Sequence, residues 1–437
     1  MMRNQAVMIG HGAFRLERNL DKENGLLATH ERRYVIIGNG IAGTTAADTL
    51  RKNDPNCSID LLTNEPYPLY NRVSLPRFLQ GVIVEQKVMI RDVAWHEQRN
   101  IRLITETVVT GIDTQERVVV TEKGARLPYD ALLVATGGWA NPLRVPGAEG
   151  CGHIYNFVTL DDTKTIIARI QESRSAVAYG GSFISYELCD GFAVRKLNTT
   201  WIMRGPYWLR SALDPEGGEV VDNIARKFGV EVIHGDEIAS VVSRNGVPVS
   251  VKTQKGREIQ TDVIGVGLGI TLNTAILAGS GIELHQGVVV NEFLETSVPG
   301  VYAAGDVAEF YDPTIGRHHT MGTWDNAMGH GRIVAVNMAG ERRAYLDVPT
   351  YTSPLFDVNI AVVGTAESTN PELEMLALRE PGEKGNDNYR KLFFRENRLV
   401  GVLMIGSPKG RKKLVDIVKN QQVFATASER EALLSLK

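Results

Sequence analysis

Tyr34-Val-Ile-Ile-Gly-Asn-Gly-Ile-Ala-Gly43 is the stretch whose reading decides the fold. Tyr34 to Ile37 are β-branched or aromatic and uncharged, the pattern of a buried strand. Gly38-x-Gly40-x-x-Gly43 follows at once and runs into Thr44-Thr-Ala-Ala-Asp-Thr-Leu50, which predicts a helix. Strand, glycine turn and helix in this order are the context in which the motif signals dinucleotide binding. Gly38 permits the tight turn, Gly40 lets the backbone approach a pyrophosphate, and Gly43 lets the helix pack closely on the strand. A diphosphate there meets free N–H groups at the positive end of the helix dipole. A second strand is expected over Cys57–Thr63, ending at Asn64-Glu65. That is about 20 residues past the glycines, where an acid meets a ribose hydroxyl.

The rest of the composition narrows the class. The chain has 437 residues and a net charge of −3, so nothing points to nucleic acid or an anionic membrane surface. No apolar run is long enough to span a bilayer. Arg3, His11, Arg15, Glu17 and Arg18 interrupt any signal-peptide pattern, so a soluble cytoplasmic protein is expected. The three cysteines, Cys57, Cys151 and Cys189, form no CxxC or CxxxxC pair. That excludes a local redox-active dithiol and a cysteine-ligated iron–sulfur cluster. No metal site is read.

Outward from the glycine turn, residues 1–32 form an extension, read either as an arm docking on a neighbour or as a mobile tail. The loop Pro66-Tyr-Pro-Leu-Tyr-Asn-Arg72-Val-Ser-Leu-Pro-Arg77 places two arginines near the pyrophosphate site, either as a phosphate clamp or as surface residues. A strand at Ile101–Ile104 and a meander over Val108–Asp113 and Arg117–Val120 precede a buried strand running to Ala135-Thr-Gly-Gly138. Residues 139–152, rich in Pro and Gly, suit a linker. Then the opening pattern repeats in altered form: strand Ala176–Tyr179, turn Gly180-Gly-Ser-Phe-Ile-Ser-Tyr-Glu187, strand Thr199–Met203. Ser182 and Ser185 stand where the second and third glycines belong. Further strands are expected at 230–234, 238–244, 247–253, 262–267 and 298–306, and a helix over Trp324–Met338. Mainly strands and then a helical region fill 346–437, where the basic cluster Lys409–Lys413 reads as a solvated face ahead of a partner site.

With these pieces placed, residues 33 to 405 resemble the FAD-dependent pyridine nucleotide–disulfide oxidoreductase superfamily. The resemblance is to members without a redox disulfide: ferredoxin and rubredoxin reductases, the flavin module of nitrite reductase, and apoptosis-inducing factor. It rests on Gly38-x-Gly40-x-x-Gly43 with Glu65, Ala135-Thr-Gly137, the second glycine turn with Glu187, and Tyr302-Ala-Ala-Gly-Asp306 in that order. It implies an α/β fold of two Rossmann-like domains, glutathione-reductase-like, plus a C-terminal α+β domain. The FAD-binding domain is implied at 33–152 and 262–345, the NAD(P)-binding-like domain at 153–261, and an interface domain at 346–437. By the same resemblance, Gly38, Gly40, Ile41, Ala42 and Gly43 hold the FAD diphosphate and Asn64 and Glu65 lie at the adenosine ribose. Arg72 and Arg77 match the family's "PYxRPPLSK" loop, Val109 offers its backbone to adenine, and Ala135, Thr136 and Gly137 line the cofactor. Gly305 and Asp306 meet the ribityl chain, and Thr323 and Trp324 put N–H groups near the flavin pyrimidine. Gly180, Gly181, Ser182, Phe183, Ile184, Glu187, Arg204 and Gly267 are implied for NAD(P), with Glu187 near the nicotinamide.

The departures bear on the second site. The usual lysine of the loop is Arg77, and Val158 takes the place of a common arginine. Met203, followed by Arg204, replaces the acid at the end of the second strand. NADPH use, weak NADH use, or a lost nucleotide all follow from this and stay open. The expected function is an FAD-dependent oxidoreductase passing electrons between NAD(P)H and an iron–sulfur protein, as a homodimer or in a hetero-complex. The alternative is a flavoprotein subunit of a larger redox complex with a degraded, weak or lost nicotinamide site.

Overall fold

The strand Arg33–Ile37 is the middle of a five-stranded parallel sheet in a computed structural model that describes residues 31–436, Pro313 excepted. The extension expected over 1–32 lies outside these residues except at its last two. The strand order across the sheet is Val301–Ala303, Ala131–Val134, Arg33–Ile37, Ser58–Leu62, Ile101–Ile104. Ile37 is level with both Leu62 and Val134, so three strands end together where the chain turns at Gly38. Ala131–Val134 is buried along its whole length, as a central parallel strand covered on both faces must be. Helices Ile41–Asn53 and Trp324–Met338 cross in close contact beside the sheet. A Cβ at Gly331 would lie 2.4 Å from the Ala42 carbonyl oxygen, so a glycine is needed for that approach.

A second parallel sheet repeats the plan, in the order Glu231–His234, Asn198–Met203, Ser175–Tyr179, Val263–Val266, Ile154–Tyr155. Here one expectation is corrected. Val263–Val266, placed at the start of the returning stretch of the first domain by the boundary at 262, pairs with Ser175–Tyr179 instead. It is the counterpart, in the other sheet, of Ala131–Val134 beside Arg33–Ile37. Residues 139–152 also differ from a plain linker: Gly138–Ala140 pairs with Ile270–Leu272 in a two-stranded ribbon where the chain passes between the sheets in both directions.

The last 90 or so residues form a five-stranded antiparallel sheet, in the order Thr350–Leu355, Val358–Gly364, Arg398–Ile405, Asp387–Arg395, Glu374–Pro381. Side chains alternate faces along its strands. Phe393 packs with the residues of the second sheet's helices, while Phe394 packs under the helix Arg411–Lys419 with Leu414 and Val418. Each buried phenylalanine contributes about 2 to 3 kcal/mol. A polar clamp fixes this sheet to the helix Pro215–Lys227: Lys391 Nζ lies 3.0 Å from Asp214 Oδ2, which also accepts the Tyr389 hydroxyl at 2.5 Å. Asp214 in turn caps the helix through the Gly217 amide.

A candidate flavin and dinucleotide cleft

A cavity of about 670 Å³ opens at the carboxyl ends of the first sheet's strands. It is bounded by the first turn of the helix Phe183–Val194 and by the strand Thr350–Leu355. Its size is that of a cofactor site. Gly38, Gly40, Ile41, Ala42, Asn64, Glu65, Arg72, Ala135, Thr136, Gly137, Gly305, Asp306, Thr323 and Trp324 all line it, with Phe183, Ile184 and Glu187.

The glycine turn explains its own composition. Gly38 has φ +115°, and a Cβ there would meet the Ala135 carbonyl oxygen at 2.1 Å. Gly43 lies behind the wall rather than in it, its would-be Cβ 1.9 Å from the Gly38 carbonyl oxygen. A Cβ on Gly40 would meet nothing within 4 Å. Gly40 caps the helix Ile41–Asn53 without any side-chain hydrogen bond, and no acid occupies the first turn. The first amides are therefore left for an anion.

Glu65 is already engaged. Arg72 Nη2 donates to its Oε1 at 2.5 Å and the Tyr70 hydroxyl to its Oε2 at 2.7 Å, while Arg72 Nη1 reaches the Val158 carbonyl at 2.7 Å. The carboxylate keeps lone pairs for a ribose hydroxyl. Asp306 differs. It is enclosed, burial pushes its pKa up against the pull of Arg72, and its carboxylate has no hydrogen-bond partner among the described residues except its own amide. Such an acceptor calls for donors from a ligand. Behind it the Gly305 amide donates to His330 Nδ1 at 3.2 Å, and burial lowers the His330 pKa to about 3, so that ring is neutral. An anion seat at Gly40 and an unfilled acceptor at Asp306, in one cavity, fit the diphosphate and hydroxylated chain of a flavin dinucleotide.

Two expected residues stay away from the cleft. Arg77 is exposed on the short helix Leu75–Gln80, and Val109 is a core residue of the meander. The helix starts between Arg72 and Arg77 and turns the second arginine outward.

The second turn lies outside this cavity, at the carboxyl edge of the second sheet. Gly180 has φ +130°, and its would-be Cβ meets the Gly267 carbonyl oxygen at 2.1 Å, matching Gly38 against Ala135. Ser182 stands at the N-cap of Phe183–Val194, yet its hydroxyl donates to the Gly267 carbonyl at 2.9 Å and caps no amide. The serine thus leaves the helix start free. Ser185 fits because its neighbour is small: a Cβ at Gly267 would lie 2.5 Å from the Ser185 nitrogen. The Trp201 and Trp208 indoles bind the Gly180 and Ser182 carbonyls, each at 3.0 Å. Met203 is fully buried, and Arg204 beside it is exposed.

Where the second unit meets the cleft, Glu187 is half-buried in the cavity wall, and desolvation there raises its pKa to about 8. The Tyr351 hydroxyl faces it at 3.5 Å, and the Tyr351 ring packs 4.5 Å from that of Phe183. One turn along, Asp190 is pushed up to about 7 by burial and accepts from Gln80 Nε2 at 2.8 Å. Sequence reasoning missed Tyr351, because no local pattern links it to a helix so distant in the chain. Tyr70 had a signal in standing two residues before Arg72.

Two parallel sheets, each with a glycine turn at the end of its central strand, and a covering antiparallel sheet define a fold of the glutathione-reductase type. The pyridine nucleotide-disulphide oxidoreductase family matches residues 32–331, and the chain belongs to it. The chain is 26% identical to the nitrite reductase [NAD(P)H] of Bacillus subtilis (strain 168) over 93% of its own length and 49% of the other's. It thus spans about half the length of that relative. It is 27% identical to the rubredoxin-NAD(+) reductase of Ectopseudomonas oleovorans, over 88% of this chain and 98% of that one. Among solved structures, the covalent putidaredoxin reductase–putidaredoxin complex superposes with a TM-score of 0.84 at 21% identity, covering 92% of this chain and 95% of that one. No helix among the described residues is long and apolar enough to cross a membrane.

Proposed function

We propose that this chain is an FAD-binding oxidoreductase that passes electrons from a reduced pyridine dinucleotide to an iron–sulfur protein. The observation that carries the reading is the continuity of one cleft from the anion seat at Gly40 and the partnerless Asp306 to Glu187 on the second unit. The flavin is assigned to the first sheet and the dinucleotide to the second, with the C-terminal sheet as cover. When bound, the flavin supplies hydride acceptance from nicotinamide and release of electrons one at a time.

The chain's own residues position and tune. The amides after Gly40 bind the diphosphate, with Arg72 adding positive charge. Asp306 accepts hydrogen bonds from the ribityl hydroxyls. The helix start at Thr323 and Trp324 directs partial positive charge at the ring end of the cleft. Glu187, held neutral at pH 7 by burial, offers a proton and a hydrogen-bond donor rather than a charge at the nicotinamide position. No cysteine lines the cavity among the described residues, so electrons leave without a protein disulfide. We place the protein in the cytoplasm, which suits a chain of three cysteines with no CxxC pair.

The rubredoxin and putidaredoxin reductases named above support this direction of use. A second reading is favoured by the match to only half of the nitrite reductase: a flavoprotein part of a larger redox assembly, with a weakened nicotinamide site. Anaerobic mixing of the purified protein with NADH and with NADPH tests the proposal. Bleaching of the yellow flavin band by either supports it. A flavin that neither nucleotide reduces rejects it in favour of the second reading.

A further inference from the structure

We propose that His319 is a titrating charge in the wall of the flavin cavity, and that a proton on it raises the reduction potential of the bound flavin. The inference rests on the assignment of the flavin to the first sheet. His319 lies on the strand Arg317–Thr320, shortly before Thr323, which opens the helix directed at the ring end of the cleft. It is half-buried and lines the cavity with Thr320, Met321 and Gly322. Gly322 holds this wall against Asp306, since a Cβ there would lie 3.2 Å from Asp306 Oδ2.

Asp312 gives the ring its reason to hold a proton. The strands Ala308–Asp312 and Arg317–Thr320 pair antiparallel, with Phe310 opposite His319 and Asp312 opposite Arg317. Opposed and alternate residues share a face, so these four lie on one side of the hairpin. Arg317 pairs instead with Glu367 of the C-terminal region. Asp312, its side chain only 3% exposed, is left with the Thr314 amide at 2.7 Å and His319 Nε2 at 3.4 Å. Burial works to raise the Asp312 pKa, yet His319 and Thr314 hold it below the usual carboxylate range. The counter-charge of this buried carboxylate is the proton on His319.

The other groups around the ring are tied elsewhere or neutral. Phe310 packs 4.9 Å from the His319 ring and 4.7 Å from that of His330, on the helix Trp324–Met338. His330, lowered to about 3 by burial, carries no charge. The Tyr345 hydroxyl, raised by burial, donates to Asn326, and Asp325 accepts from Thr350. Glu309 accepts the Gly287 amide beside His285, His318 packs on Tyr311, and Arg395 binds the Ile315 carbonyl. Asp306 and Arg72 face the cavity from its other walls, in wild type and variant alike, and drop out of a difference between the two.

Reduction adds negative charge to the flavin, and a cation in an enclosed wall stabilises it. Hydride from the nicotinamide brings both electrons. The proton that settles on His319 comes from solvent and stays until the flavin is reoxidised. By linkage, reduction favours that proton by the same factor as the proton favours reduction.

Potentiometric titration of the purified holoprotein from pH 5.5 to 8.5 tests this without turnover, with His319→Gln and Asp312→Asn beside the wild type. At pH 5.5 the flavin of the glutamine variant should be about tenfold harder to reduce, about 30 mV lower for a two-electron couple, and the gap should close as pH rises. Asp312 does not line the cavity, so Asp312→Asn should keep its flavin and move the pH-dependent step about one unit toward acid. Should His319→Gln lose its flavin, the Asp312→Asn curve decides alone. Potentials that run parallel with pH in all the proteins overturn the proposal, as does an offset that is the same at every pH, which a merely structural residue would give. Loss of flavin from both variants also overturns it, because Asp312 would then be acting on the fold. If a pyridine nucleotide bleaches the flavin while the potentials run parallel, this inference falls and the electron-transfer reading stands. If the protein takes up no flavin, both fall together.

Discussion

Glu187→Gln should stabilise the protein, and by an amount that grows with pH. Burial lifts the carboxyl from an ordinary 4.5 to about 8. Between those values the folded state holds a proton that the unfolded state has released, so stability falls as pH rises through this window. The loss is at most about 1.4 kcal/mol per pH unit, and about 4 to 5 kcal/mol across the window. The cleft wall can relax and admit water, which lowers the expected total to about 2 to 3 kcal/mol. Glutamine keeps the shape and does not titrate. Asp190 remains in both proteins, so its own titration largely cancels in the difference. Urea unfolding at pH 5, 6, 7 and 8 measures it. The variant should match the wild type at pH 5 and exceed it by about 2 to 3 kcal/mol at pH 8. A difference that stays flat with pH would refute the assignment of Glu187 as a buried, neutral acid.

Other substitutions separate folding from cofactor binding. Gly40→Val enters open space at a backbone angle any residue adopts, so its flavin-free form should melt with flavin-free wild type while the purified variant lacks the flavin absorbance. Gly43→Ala meets the Gly38 carbonyl at 1.9 Å, and should cost about 3 kcal/mol in urea unfolding along with the flavin. Asp306→Ala removes an acceptor whose only partner among the described residues is its own amide, so the flavin-free form should unfold no more easily than flavin-free wild type while flavin content falls. Lys391→Met leaves the carboxylate of Asp214 with the Tyr389 hydroxyl but no cation, and should cost about 2 to 3 kcal/mol in urea unfolding at pH 7. Asp214 is held below its ordinary pKa by hydrogen bonds and Lys391, so its contribution is present at neutral pH and lost as pH falls through that lowered value; the deficit of the variant should shrink in acid.

The first cradle was legible because its parts are contiguous or repeat a spacing with a physical cause. Gly38 and Gly43 are forced by carbonyls 2.1 and 1.9 Å from where a Cβ would be, and a motif of that kind survives in any sequence that makes the turn. The second turn could be found but not interpreted. Whether Ser182 blocks the helix start depends on where its hydroxyl goes, and it goes to Gly267, on a strand far along the chain. Val263–Val266 was assigned to the wrong sheet for a related reason: both sheets use a short, wholly buried strand at that place, and burial does not say which neighbour a strand joins. Arg72 and Arg77 looked equivalent in one loop until a helix start between them sent only the first to the cleft. Tyr351 at Glu187 and Lys391 at Asp214 are meetings across the fold that periodicity cannot encode.

The most direct test of the central claim is an electron count. The purified protein is mixed anaerobically with limiting NADPH and an excess of an oxidised one-electron iron–sulfur acceptor, such as a ferredoxin or a rubredoxin, with no added thiol. A flavin relay without a protein disulfide predicts two acceptor molecules reduced for each NADPH consumed, with the ratio unchanged after alkylation of the cysteines. A flavin that bleaches but passes nothing on, or a transfer that stops once the thiols are blocked, would contradict it.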